Sequence, residues 1–168
     1  MPLKMLIIDD EMPKAKGYHK IGEKYPEVFE IDEANAFVIC DAIRDYEQVA
    51  MTKLMRRKYD LILLDSTFMF HEQQGLNIVL LLRSGFAGHA EAELGGALNR
   101  ATYVIGVSEC WDEITKILDR LFRLKGLEHG LDSWTHSGHA NLKGLCAELD
   151  KFLLSRNMDP AKARHSIF

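Results

Sequence analysis

Asp9, Asp10 and Asp65 are the side chains best placed for chemistry, because each stands where a run of aliphatic residues stops. Met5-Leu6-Ile7-Ile8 runs straight into Asp9-Asp10-Glu11, and Leu61-Ile62-Leu63-Leu64 runs into Asp65. Carboxylates gathered at one edge repel each other unless a hard cation sits among them. Mg²⁺ suits such a set, since it takes oxygen ligands and keeps several waters. Ser108 follows a third apolar run, Val104 to Val107, and offers a hydroxyl. Each has a structural alternative: Asp9 or Asp10 as the cap of a helix starting near Pro13, Asp65 as a loop residue, Ser108 as the cap of the next helix.

These residues do chemistry together only if the chain places them at one edge. Residues 3–8 and 61–64 are too continuously apolar for half-exposed strands and read as strands buried on both faces, as in parallel sheets. In such sheets ligands gather at the carboxyl ends of the strands. Between the two runs, the spacing of Ala15, Tyr18, Ile21 and Tyr25 predicts a helix over 12–25, with Pro13 in its first turn and Pro26 at its end. Residues 28–32 alternate as a weaker edge strand, and 36–57 carry Ile39, Ile43, Tyr46, Ala50 and Leu54 at helical spacing. After Asp65 come a loop over 66–74, a helix over 76–83, a glycine-rich stretch over 84–100 and a strand over 102–107. A helix over 109–125 follows, its acidic first turn suiting the positive end of the helix dipole. A short strand near 130–134 and a helix striped by Leu142, Leu145, Leu149 and Phe152 complete the alternation. Strand and helix in strict turn imply a five-stranded parallel α/β sheet with helices on both faces.

Composition agrees. At 168 residues and 47% hydrophobic content the chain holds one well-cored domain, assigned to 1–156 with a polar tail over 157–168. A net charge of −4 supplies no basic field to attract nucleic acid. No apolar run nears the roughly 20 residues of a membrane span. Residues 1–8 read into a core strand rather than a signal peptide. Cys40, Cys110 and Cys146 are odd in number and far apart, which fits buried reduced thiols in a cytoplasmic protein.

The assembled pieces resemble the receiver domain of two-component response regulators, a flavodoxin-like fold. Met5 to Glu11 is similar to that family's opening strand and acidic pair, and Tyr59 to Asp65 to the strand presenting its phospho-accepting aspartate. Gly75 with Leu76 resembles the glycine and helix that follow, and Val104 to Ser108 the strand ending in a switch hydroxyl. The resemblance covers most of residues 3–154. It implies Asp65 as phospho-acceptor, Ser108 as switch hydroxyl, and Mg²⁺ held by Asp9, Asp10, Asp65 and the Thr67 carbonyl. It also implies a histidine kinase or other phosphodonor as partner, a downstream protein target, no direct binding to nucleic acid or membrane, and a signalling module rather than an enzyme.

One departure stands out. The family carries a lysine, usually followed by proline, at the end of its fifth strand, and alignment puts Ser133 and Trp134 there. Such a lysine pairs with a phosphoryl oxygen and links modification to loop movement. The acidic trio therefore points to a phosphorylatable receiver, and Ser133 to a pseudo-receiver that keeps the fold and binds a partner without phosphoryl transfer. His129, His136 and His139 read as solvated loop histidines, since they lack zinc-site spacing. Phe68-Met69-Phe70 reads either as a partner-docking cluster or as one buried under residues 84–100.

Overall fold

Strand β1 (Leu3–Ile8) lies inside the sheet, with β2 (Phe29–Ala34) on one side and β3 (Leu61–Leu64) on the other. Strand β4 (Tyr103–Val107) pairs with β3, and β5 (Ser133–Thr135) pairs with β4. All the pairs are parallel and the order is β2-β1-β3-β4-β5, the flavodoxin-like doubly wound order. The computed structural model describes residues 1–9, 12–34, 44–66, 74–84, 98–108, 110–125, 130–135 and 142–164.

Two apolar layers explain why the central strands carry no polar alternation. Successive strand side chains point to opposite faces. Leu6, Ile8, Ile62, Leu64 and Val104 join one cluster, built with Ala50 and Leu54 of α2 (Arg44–Arg56), Ile78, Val79 and Leu82 of α3 (Gln74–Ser84), and Trp111, Leu118 and Phe122 of α4 (Trp111–Lys125). Met5, Ile7, Leu61, Leu63, Ile105 and Val107 join the other, against Tyr18 and Ile21 of α1 (Met12–Lys24) and Leu145, Leu149 and Phe152 of α5 (Leu142–Ser155). Both faces are therefore covered, and β2 at the edge keeps its mixed pattern.

The amino ends of the strands are fastened by polar side chains. Asn99 accepts from the Tyr59 amide at 2.9 Å and donates to the carbonyls of Leu54 and Arg57, tying the end of α2 to the entry of β4. Thr102 adds a bond to the Tyr59 carbonyl at 2.8 Å. The Asp132 carboxylate accepts from the Val104 amide and from Arg83, so β5 is anchored before its first residue.

Several boundaries differ from the sequence reading. The helix expected over 36–57 is described from Arg44, and residues 35–43 lie outside the described residues. The glycine-rich stretch is outside them over 85–97. The segment read as a polar tail contains a short helix, α6 (Pro160–Ala163), capped by Asp159. Met158 and Ala163 pack on the core, and Arg164 pairs with Asp150 and lies over the Tyr25 ring. The tail thus adds two apolar side chains to the second layer. Cys146 is buried as expected, but Cys110 is exposed, because it precedes the first buried turn of α4.

At the β2–α2 margin, burial pulls the Asp32 carboxyl upward, but bonds from Lys53 and the Tyr59 hydroxyl outweigh it and hold the group below the ordinary carboxylate range. A depressed folded value adds stability above the unfolded pKa of about 4, and that stability is lost as pH falls through the folded value. Lys53→Met is therefore expected to lower stability most near neutral pH, with the difference from wild type vanishing in acid. Urea unfolding at a series of pH values checks this; a difference independent of pH would mean that Lys53 contributes by packing alone.

Candidate functional site

The β1–β3 register brings the two acidic strand ends together. Ile8 pairs with Leu64, and the Asp65 amide donates to the Ile8 carbonyl at 2.9 Å, so Asp9 and Asp65 leave adjoining strands at one level. Both side chains are buried, Asp9 at 2% exposure and Asp65 at 1%. A buried carboxylate is costly unless hydrogen-bonded or paired with a cation. Part of that cost is met within the fold: the Tyr18 hydroxyl of α1 donates to Asp9 Oδ2 at 3.0 Å, and the Ser66 amide donates to Asp65 Oδ1 at 2.6 Å.

The third strand contributes Ser108. Leu64 pairs with Gly106, and continuing that register sets Ser66 beside Ser108. Their hydroxyls meet: Ser66 Oγ donates to Ser108 Oγ at 2.7 Å. Ser108 also accepts a long 3.5 Å bond from the Cys110 amide, so the hydroxyl sits both at the strand edge and at the entry to α4. In this conformation the Ser108 hydroxyl is engaged by Ser66 and makes a long cap contact to α4.

Two close approaches fix this edge. A Cβ on Gly75 would lie 2.5 Å from the Asp65 carbonyl oxygen and 2.8 Å from Ser66 Cα, so only glycine lets α3 start against the Asp65 turn. The Gly75 amide donates to the Ser66 carbonyl at 3.2 Å, closing the loop between them. On the other side the buried Trp111 indole donates to the Leu64 carbonyl at 3.1 Å. A Cβ on Gly106 would fall 2.7 Å from that ring, so the β4 glycine makes room for it.

Of the residues expected at the site, Asp9, Asp65 and Ser108 come to one sheet edge. Asp10 and Thr67 lie outside the described residues, as do Phe68-Met69-Phe70 and the three loop histidines. Among the described residues no three His, Cys, Asp or Glu side chains gather as a metal site. Two buried carboxylates at neighbouring strand ends are hard oxygen donors of the kind Mg²⁺ takes.

The assignment of Ser133 to the end of the fifth strand is corrected. Ser133 opens β5 opposite Ile105, and Thr135 opposite Val107 is the last strand residue. Alignment by sequence set the lysine-equivalent position two residues before the end of the strand, because the turn at Gly130 to Asp132 has no apolar pattern to mark its end. Ser133 Oγ is buried with no hydrogen-bond partner among the described residues, and its pairing with Ile105 sets it two positions before the carboxyl end of the strand. The departure from the family pattern itself remains, since residues 126–142 contain no lysine at all.

Sequence reasoning missed Tyr18, Ser66 and Trp111. Tyr18 was read only as a member of an apolar stripe, Trp111 falls within the helix expected over 109–125 with nothing to single it out, and a single serine after Asp65 carries no motif. No protein-family model matches this chain, and neither does any curated protein.

Gly75→Ala is expected to cost about 1–3 kcal/mol, the range for forced overpacking. Because the obstructing atoms are backbone, the change should also shift the amide resonances of Asp65 and Ser66. Denaturant unfolding and amide spectra check this; a neutral substitution would mean that α3 is not seated against the Asp65 turn.

Proposed function

We propose that the chain is a receiver-like signalling module whose phospho-acceptor is Asp65. The observation that carries this reading is the pair of buried carboxylates, Asp9 and Asp65, on adjoining strand ends with the Ser108 hydroxyl on the next strand. In this reading Mg²⁺ is held by Asp9, Asp10 and Asp65 with the Thr67 carbonyl, Asp10 and Thr67 being assigned from the sequence. The cation would neutralise charge on the transferring phosphoryl oxygens. A carboxylate oxygen of Asp65 forms the new O–P bond as the P–N bond to a donor histidine breaks, and the departing imidazole nitrogen takes up a proton. A histidine kinase or small phosphodonor supplies the group, and a downstream protein reads the result. Such a relay implies a cytoplasmic setting. No described helix is long and apolar enough to cross a membrane, which is compatible with that setting.

A second reading has its own support. With no lysine in residues 126–142, a phosphoryl group on Asp65 lacks the usual cationic partner from that segment. A charge-assisted bond of that kind is worth on the order of 1.5–3 kcal/mol. Its loss favours a pseudo-receiver that binds a partner without phosphoryl transfer.

Incubation with Mg²⁺ and acetyl phosphate, followed by intact-mass measurement, separates the two. The phospho-acceptor reading expects the mass gain of one phosphoryl group, lost in Asp65→Asn. No gain in the wild type leaves the pseudo-receiver. Mg²⁺ alone is expected to stabilise the protein by about 1.4 kcal/mol at ten times its Kd, and Asp10→Ala to abolish that response. An unchanged melting temperature at millimolar Mg²⁺ would remove the metal from the proposal.

A further inference from the structure

We infer that Ser66 is a positioning residue for Ser108, a latch whose hydroxyl holds the Ser108 hydroxyl in the unmodified protein and opposes its turning toward a phosphoryl group on Asp65. The inference rests on the phospho-acceptor reading of Asp65. Ser66 is completely buried, and its hydroxyl donates to Ser108 Oγ at 2.7 Å. The latch is held rigidly at its root. The Ser66 amide bonds Asp65 Oδ1, its carbonyl accepts from the Gly75 amide, and Gly75 leaves no room for that backbone to retreat. Ser108 is held less firmly: its other hydroxyl contact is the 3.5 Å bond from the Cys110 amide. Rotation of Ser108 about its Cα–Cβ bond therefore gives up one good bond and one poor one, while Ser66 stays in place. A ligand shifts a two-state equilibrium only by its differential affinity, so the strength of this bond sets how much of that affinity is spent on turning Ser108.

Trp111 supplies the readout. Its indole bonds the carbonyl of Leu64, next to Asp65, and leans on Gly106 two residues before Ser108. In a Trp134→Phe background its fluorescence reports titration with beryllofluoride and Mg²⁺, a mimic of the phosphoryl group on a carboxylate. Ser66→Ala is expected to tighten the apparent beryllofluoride affinity by roughly two- to tenfold, the factor set by one neutral hydrogen bond. The same variant should unfold at lower denaturant, so affinity and stability move in opposite directions, which a purely structural role would not produce. Ser66→Thr, which keeps the hydroxyl, should return the affinity toward wild type. An unchanged or weakened affinity in Ser66→Ala would overturn the latch even if Asp65 is modified normally.

A stability cycle on the unmodified protein tests the bond without phosphoryl chemistry. Ser66→Ala, Ser108→Ala and the double variant are expected to be non-additive, the second change costing less once the first is made. Additive effects would refute the latch. If wild type responds neither to beryllofluoride nor to acetyl phosphate, the phospho-acceptor reading fails and the switching role falls with it. The cycle then still decides whether Ser66 holds Ser108.

Discussion

The pairing of β1 with β3 is the constraint on which the rest of the structure depends. Its register, Met5 with Leu61 through Ile8 with Leu64, joins segments far apart in the chain, and all of these side chains are buried. A slip of one residue would turn every side chain to the opposite face. Leu6 and Ile8 would then meet α1 and α5 instead of α2, α3 and α4, and two differently shaped apolar layers would be mismatched together. The same register levels Asp9 with Asp65, so core packing and site geometry are determined by one choice. This is why the site needs no dedicated scaffold.

The two ends of the sheet solve opposite electrostatic problems. At the amino end, polar side chains are paired with backbone or with opposite charge: Asn99 and Thr102 with the Tyr59 strand entry, Asp132 with Arg83, and Asp150 with Arg164. At the carboxyl end, Asp9 and Asp65 are buried on adjoining strands, and among the bonds they accept are those from a tyrosine hydroxyl and a backbone amide. Neutral donors ease desolvation without cancelling charge. The carboxyl edge thus gathers buried carboxylates, while the amino edge is tied by paired polar groups.

Hydroxyl pairing and glycine clearance give this edge a mechanical character. Ser66 and Ser108 link β3 to β4, Trp111 links the strand before Asp65 to the start of α4, and Gly75 lets α3 press on the Asp65 turn. A change at Asp65 therefore meets three elements at once. The links differ in stiffness, since an indole wedged on Gly106 moves less easily than a serine hydroxyl that rotates about one bond.

How much of this was legible in the chain follows from the range of each interaction. The apolar runs ending at Asp9 and Asp65, the alternation of elements and the edge position of the weak strand were readable, because burial on two faces writes itself into a local pattern. The two carboxylates and Ser108 could be picked out for the same reason: polar residues that end buried strands break that pattern. The position expected for the family's lysine was set at Ser133, two residues before the last residue of β5, since three residues at a sheet margin carry no periodicity. The docking of α6 through Arg164, the exposure of Cys110, and the partners of Tyr18, Ser66 and Trp111 were not legible at all. Each is a contact between elements remote in sequence. By itself the sequence determined which segments are strands and where their charges fall. Only the tertiary structure decided which hydroxyls and rings meet those charges, because strand register and helix seating set those distances.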